Sequence, residues 1–133
     1  MIVLLDTHVA IWLAMADAAL GKKARQLIDT AATDGALAIS AVSFWEIAML
    51  IEKGRLQTTL PADEIRNSLL QAGIAEIPLA GDIALLSVEL SLHSDPADRF
   101  IAASAITHSA TLMTADRHLL KWKHPVKRVD ARR

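Results

Sequence analysis

The sequence predicts an α/β protein with a central, mainly parallel sheet of four or five strands and helices on both faces. Two observations carry this. The runs "IVLL" (2–5), "ALAIS" (36–40) and "ATLMTA" (110–115) are short and apolar throughout, as strands buried on both faces are. Longer stretches with helix starts and stops lie between them, so strands alternate with helices. The 133 residues suit one domain, 1–133, large enough for a core without disulfides.

The elements follow in order. After strand 2–5, "THVAIWLAMA" (7–16) reads as a helix. "AALGKKARQLIDTAATDG" (18–35) is a second, ending near Gly35. Strand 36–40 leads to "SFWEIAMLIEKG" (43–54), a helix closed by Gly54. "PADEIRNSLLQAG" (61–73) is a helix with Pro61 at its start and Gly73 at its end. "IAEIPL" (74–79) is strand-like, and "DIALLSVELSLH" (82–93) and "PADRFIAASAITHS" (96–109) are helices. Strand 110–115, a short helix "RHLLKW" (117–122) and an edge strand "VKRV" (126–129) complete the chain.

Composition excludes several chemistries. There is no Cys, so disulfides, thiolate zinc sites and cysteine nucleophiles are ruled out. "MIVLLD" lacks the basic start and length of a signal peptide, and no apolar run reaches the roughly 18 residues of a membrane span. A soluble cytoplasmic protein is expected. The net charge of −1 says little, but "KWKHPVKRVDARR" (121–133) is basic. Lys121, Lys123, Lys127 and Arg128 there form either a phosphate-contacting edge or a solvated terminus.

Acids recur where a parallel sheet keeps its sites, beyond the carboxyl ends of strands. Asp6 follows strand 2–5, and Asp116 follows strand 110–115. Glu46 lies early in the helix after strand 36–40, and Asp98 in the first turn of helix 96–109. If that helix feeds strand 110–115 directly, simple topology puts its N-terminus at the opposite end from Asp116. Three acids then gather, and the fourth is not placed. Each acid also has a local reading as a helix cap. Asp6 and Asp116 precede helices, "SFWE" is an S-x-x-E capping box, and "DPADRF" offers Asp95 as N-cap with Asp98 three places on. Clustered carboxylates repel, so four in one pocket call for a cation. Oxygen ligands suit Mg²⁺ or Mn²⁺, which activate water and stabilise phosphoryl charge.

Other chemistries lack their motifs. There is no G-x-S-x-G and no glycine-rich phosphate loop. The five histidines form no HExxH, and His8, beside Asp6, is the one best placed to line a site. Trp12, Trp45 and Trp122 read as core or interface residues.

"LLDTH", "SAVSFWEIAML", "HSDPADRFIAASA" and "LMTADRHL" resemble, in order and spacing, the four motifs of PIN-domain ribonucleases, and more narrowly of VapC-type toxins of bacterial toxin–antitoxin pairs. The resemblance runs from residue 2 to about 119. Ala97 and Ala103 stand where this subgroup often has Phe and Gln. The resemblance implies a three-layer α/β/α sandwich with Asp6, Glu46, Asp98 and Asp116 around Mg²⁺ or Mn²⁺, supported by Thr7 and Thr114. It also gathers Asp98 with the other three. It implies an RNA substrate, a small antitoxin that occupies the groove, and a homodimer.

The expected activity is therefore a metal-dependent endoribonuclease, hydrolysing RNA phosphodiester bonds with a metal-activated water. Arg99 either meets RNA phosphates or pairs with Asp95 or a site acid. The alternatives are a non-catalytic RNA- or protein-binding module with the same fold, and a Mg²⁺-dependent phosphatase or receiver-like phosphotransfer domain. The phosphatase wants D-x-D after the first strand, where this chain has Asp6, Thr7 and His8.

Overall fold

A computed structural model describes residues 1–133. The strands are β1 (Val3–Leu5), β2 (Leu37–Ser40), β3 (Ala75–Ile77), β4 (Thr111–Thr114) and β5 (Arg128–Asp130). The helices are α1 (Thr7–Ala14), α2 (Lys22–Thr33), α3 (Ala41–Glu52), α4 (Ala62–Gln71), α5 (Gly81–Glu89), α6 (Pro96–Thr107) and α7 (Arg117–Lys121). None is long and apolar enough to cross a membrane.

The strands pair in the order β3-β2-β1-β4-β5, and every pairing is parallel. Successive side chains of a strand point to opposite faces, and here both faces are apolar. Val3, Leu5, Leu37, Ile39 and Met113 enter one core, with Ile47 of α3 and Ile65 and Leu69 of α4. Leu4, Ala38 and Leu112 enter the other, with Ile83 of α5, Ile101 of α6 and Leu119 of α7. That alternation makes the three α/β/α layers and explains why these strands read as uninterrupted apolar runs.

The order reverses across β1 and β4. Crossovers from β1 run to β2 and β3 on one side, and β4 and β5 lie on the other. A crevice opens at such a point beyond the carboxyl ends. Asp6 sits at its centre, its N–H donating to Met113 O at 2.9 Å.

Three local expectations are corrected. Helix 18–35 starts later, at Lys22, because residues 17–20 turn on Asp17, which accepts from Ala19 N at 2.9 Å. The S-x-x-E box at 43–46 is not a cap. Helix α3 starts at Ala41, Ser40 is its N-cap, and Ser43 is buried inside the helix. The helix expected over 82–93 ends at Glu89. The Arg99 guanidinium takes the freed carbonyls, donating to Ser87 O (2.9 Å), Leu90 O (2.9 Å) and Leu92 O (2.5 Å).

Those bonds also correct both readings of Arg99, which neither faces the rim for phosphate nor pairs with an acid. It fastens the α5–α6 connection from within α6. Arg99→Met should leave three carbonyls without their donor and cost about 2–3 kcal/mol in urea unfolding. A loss below about 0.5 kcal/mol would show that the connection holds without it.

Candidate active site

The crevice is lined by Asp6, His8, Trp12, Glu46, Asp95, Asp98, Ala115, Asp116 and Arg132, in a cleft of about 250 Å³. All four sequence-expected acids are among them. The register explains three. Leu5 aligns with Ile39 and Met113, so Asp6, the start of α3 and Thr114–Asp116 emerge side by side. Asp98 needs a correction. Helix α6 does feed β4, but a crossover helix runs antiparallel to its strands. Its N-terminus therefore lies at the carboxyl rim, beside Asp116.

Each acid is held by an identifiable partner. Asp6 is buried, 5% exposed. It caps α1 by accepting from Thr7 N at 2.8 Å, and its other oxygen accepts from the Thr114 hydroxyl at 2.6 Å. The Thr114 hydroxyl also accepts from Asp116 N at 3.0 Å, so one threonine links two acids. The Thr7 hydroxyl donates to Ser43 Oγ at 2.9 Å, joining α1 to α3 below Glu46. Asp116 caps α7 through Oδ1, which accepts from His118 N and Leu119 N at 2.7 and 3.1 Å. Asp6 and Asp116 thus cap helices and line the cleft at once.

In "DPADRF" the two acids divide the work. Asp95 caps α6, accepting from Ala97 N at 3.0 Å. Asp98 does not complete a capping box but meets His93 Nε2 at 2.5 Å. Donor atoms of His93, Asp98 and Asp116 all lie within 4.8 Å of one another. Sequence reasoning missed His93 because it placed the residue in a helix, whereas it lies in the connection after α5. The histidine two residues before the Asp95–Pro96 turn was the available signal.

The basic residues fare differently. Lys121, the last residue of α7, and Lys123, beyond it, are exposed. Lys127 lines a different cleft, with Met1, Ala110 and Thr111, at the amino ends of the strands. Arg128 donates to Leu119 O, Trp122 O and His124 O and so braces the α7–β5 turn rather than presenting a free cation. Arg132, from the same tail, is the arginine that lines the acid cleft.

The PIN domain family model matches residues 3–124. Ribonuclease VapC22 of Mycobacterium tuberculosis is 38% identical over 127 residues, covering 92% of this chain and 93% of that protein. Among solved structures, VapBC2 from Rickettsia felis, bound to a DNA fragment from their promoter, aligns with a TM-score of 0.70 at 18% identity, over 98% of this chain and 100% of that one. FitAcB from Neisseria gonorrhoeae aligns with a TM-score of 0.68 at 19% identity, covering 98% of each chain. At such identities the structural likeness speaks for the fold alone.

Burial makes Asp6, Glu46 and Asp98 reluctant to ionise. It holds Asp6 above its usual range, against the Thr114 hydroxyl and the Thr7 amide. It also raises Glu46, opposed by the Thr7 hydroxyl. Asp98 is pushed up to about 7, because burial outweighs the His93 bond and Asp6, Asp95 and Asp116 add repulsion. A carboxyl whose folded pKa is raised binds its proton more tightly in the native state, so its stabilising effect is lost as pH rises through the folded value. Metal-free protein should therefore lose stability between about pH 4 and about pH 7, in part through Asp98. In chelator, Asp98→Asn should melt close to wild type at about pH 4 and a few degrees higher at about pH 8. Thermal melts across that range check it, and an equal offset at both pH values would refute it.

Proposed function

The chain belongs to the PIN-domain family, and from that premise we propose that it is a metal-dependent endoribonuclease, the toxin of a toxin–antitoxin pair. One observation carries the catalytic part: Asp6, Glu46, Asp98 and Asp116, from four separate segments, line one cleft with two members buried. A module that only binds RNA or protein has no use for buried carboxylates held above their usual range.

The donor set fits a hard divalent cation. Carboxylate oxygens dominate it, one imidazole joins, and a cation would offset both the burial and the neighbouring carboxylates that raise Asp98. Asp6, Asp98 and Asp116 would hold Mg²⁺ or Mn²⁺, with Glu46 completing the set. Bound there, the cation supplies Lewis acidity, favouring ionisation of an attacking water and neutralising charge on the phosphoryl oxygens. The protein's own share is positioning. Thr114 fixes one oxygen of Asp6, the α1 amide fixes the other, and His93 fixes Asp98. Glu46, half-buried at the cleft wall, would orient that water and take its proton. The products would carry a 5′-phosphate and a 3′-hydroxyl.

Two partners follow. A trough with an apolar floor of Ile11, Trp12, Met15, Leu50 and Leu56, flanked by Asp17 and Arg55, adjoins the cleft and shares His8, Trp12 and Glu46 with it. It suits an apolar segment of a small antitoxin that would enter the cleft and stop turnover. A second copy of the chain would cover α5, where Leu85 and Val88 are 74% and 80% exposed. Light scattering should return a dimer mass, and a monomer at every concentration would overturn the dimer.

Purified protein with total cellular RNA tests the activity. Cleavage should require Mg²⁺ or Mn²⁺ and vanish in EDTA, and the ions should raise the melting temperature by binding the native state. Undiminished cleavage in EDTA removes the metal reading. Asp98→Asn should lower cleavage by ~10²-fold or more, since the cation supplies several kcal/mol to the transition state. Asp95→Asn should stay within a few-fold of wild type, because Asn caps a helix about as well as Asp.

A further inference from the structure

Residues 130–133 are fastened far more tightly than a basic tail needs. Ala131 is fully buried, its N–H donating to Thr114 O at 2.9 Å. Its carbonyl accepts from Gly21 N at 2.8 Å, and Arg133 O accepts from Lys23 N at 2.8 Å. The segment thereby takes up N–H groups at the start of α2, whose N-cap Gly21 has no side chain to do so. The approach is so close that a Cβ at Gly21 would lie 2.2 Å from the Arg133 carbonyl carbon and 2.5 Å from that of Arg132. Asp130 closes the turn by accepting from Arg132 N at 2.9 Å.

What this strap delivers is one guanidinium. Arg132 Nη1 donates to Ala115 O, next to Asp116, at 2.6 Å, and the guanidinium carbon lies 5.5 Å from the Trp12 ring centroid. It lines the cleft with five carboxylates, yet the protein's ion pairs are Arg66–Glu76 and His93–Asp98. Arg132 therefore faces the acids without pairing with any. Only one of its five N–H donors is used, and Trp12 and the strap fix its plane beforehand. A planar fork with free donors at an acidic site matches a phosphodiester, which must approach that negative rim. Arg99 and Arg128 cannot do this, their donors being taken by carbonyls.

We propose that Arg132 is the phosphate-binding residue of the cleft, clamping an RNA phosphate beside Asp116. The proposal rests on the ribonuclease reading above and names a contact that reading leaves open. It also gives the tail a role at one residue, Arg132, rather than at Lys121, Lys123, Lys127 or Arg128.

The test is binding of a fluorescein-labelled, mixed-sequence single-stranded RNA 20-mer, followed by anisotropy in Ca²⁺ over a series of salt concentrations. Wild type, Arg132→Met, Arg132→Lys and a Lys121→Gln/Lys123→Gln variant are compared, with melts as a fold control. Losing one phosphate contact should lower the slope of log K against log salt by about 0.7. Arg132→Met should show that drop and about tenfold weaker binding at low salt. Arg132→Lys should recover the slope but not the full affinity. The double lysine variant should keep an affinity closer to wild type than Arg132→Met does. Wild-type slope and affinity in Arg132→Met would overturn the proposal while leaving the ribonuclease reading intact. If wild type neither binds the 20-mer nor cuts total RNA in Mg²⁺ or Mn²⁺, the ribonuclease reading fails, and the proposal with it.

Discussion

The bond from the Thr114 hydroxyl to Asp6 Oδ2, 2.6 Å long, ties together the two strands on which the site is built. Asp6 directly follows β1 and Thr114 ends β4, on either side of the point where the strand order reverses. A carboxylate there must lose most of its water, and this chain compensates with a hydroxyl and a helix N-terminus. The same threonine positions Asp116, so the geometry of two acids depends on one hydroxyl. The parallel register does the rest, since β1, β2 and β4 all end at one rim.

Fold class, strand order of appearance and the four acids were legible because they rest on patterns with little competition. Two-faced apolar strands leave a period-free signature, and four acids in ordered motifs resemble one family. What was not legible involved carbonyls and loops. The 82–93 segment has a helical pattern to its end, but the helix stops at Glu89, and Arg99, six residues past that segment, takes the carbonyls of Ser87, Leu90 and Leu92. His93 then lies in the connection, outside the helix, where it meets Asp98. The capping box at 43–46 failed for a related reason. Ser40, at the strand end, caps first, and Ser43 is turned inward to meet Thr7.

Charge was the least legible quantity. The basic residues of 121–133 read either as a phosphate-contacting edge or as a solvated terminus, but the surroundings of Arg128 and Arg132, and of Arg99 elsewhere, separate the arginines. Arg128 is consumed by three carbonyls where the chain leaves α7, as Arg99 is where it leaves α5. A guanidinium suits both tasks because its fork of donors satisfies several orphaned carbonyls at once. Arg132 has one carbonyl and an indole, and so keeps donors for something else. The sequence shows three similar residues, and only their local acceptors distinguish them.

The raised acids connect stability to function. A cleft with Asp6, Glu46 and Asp98 all above their usual range is one in which ionisation at neutral pH works against the fold. Replacing the acids would relieve that cost of burial and repulsion, and so would a cation or the approach of a positively charged group. The protein supplies little of that relief itself. His93 reaches one acid, and Arg132 stands nearby without pairing. The charge imbalance is thus left open on the side from which a cation and a phosphate would arrive. A fully paired cleft would be more stable at neutral pH, and it would have no ligand left to bind.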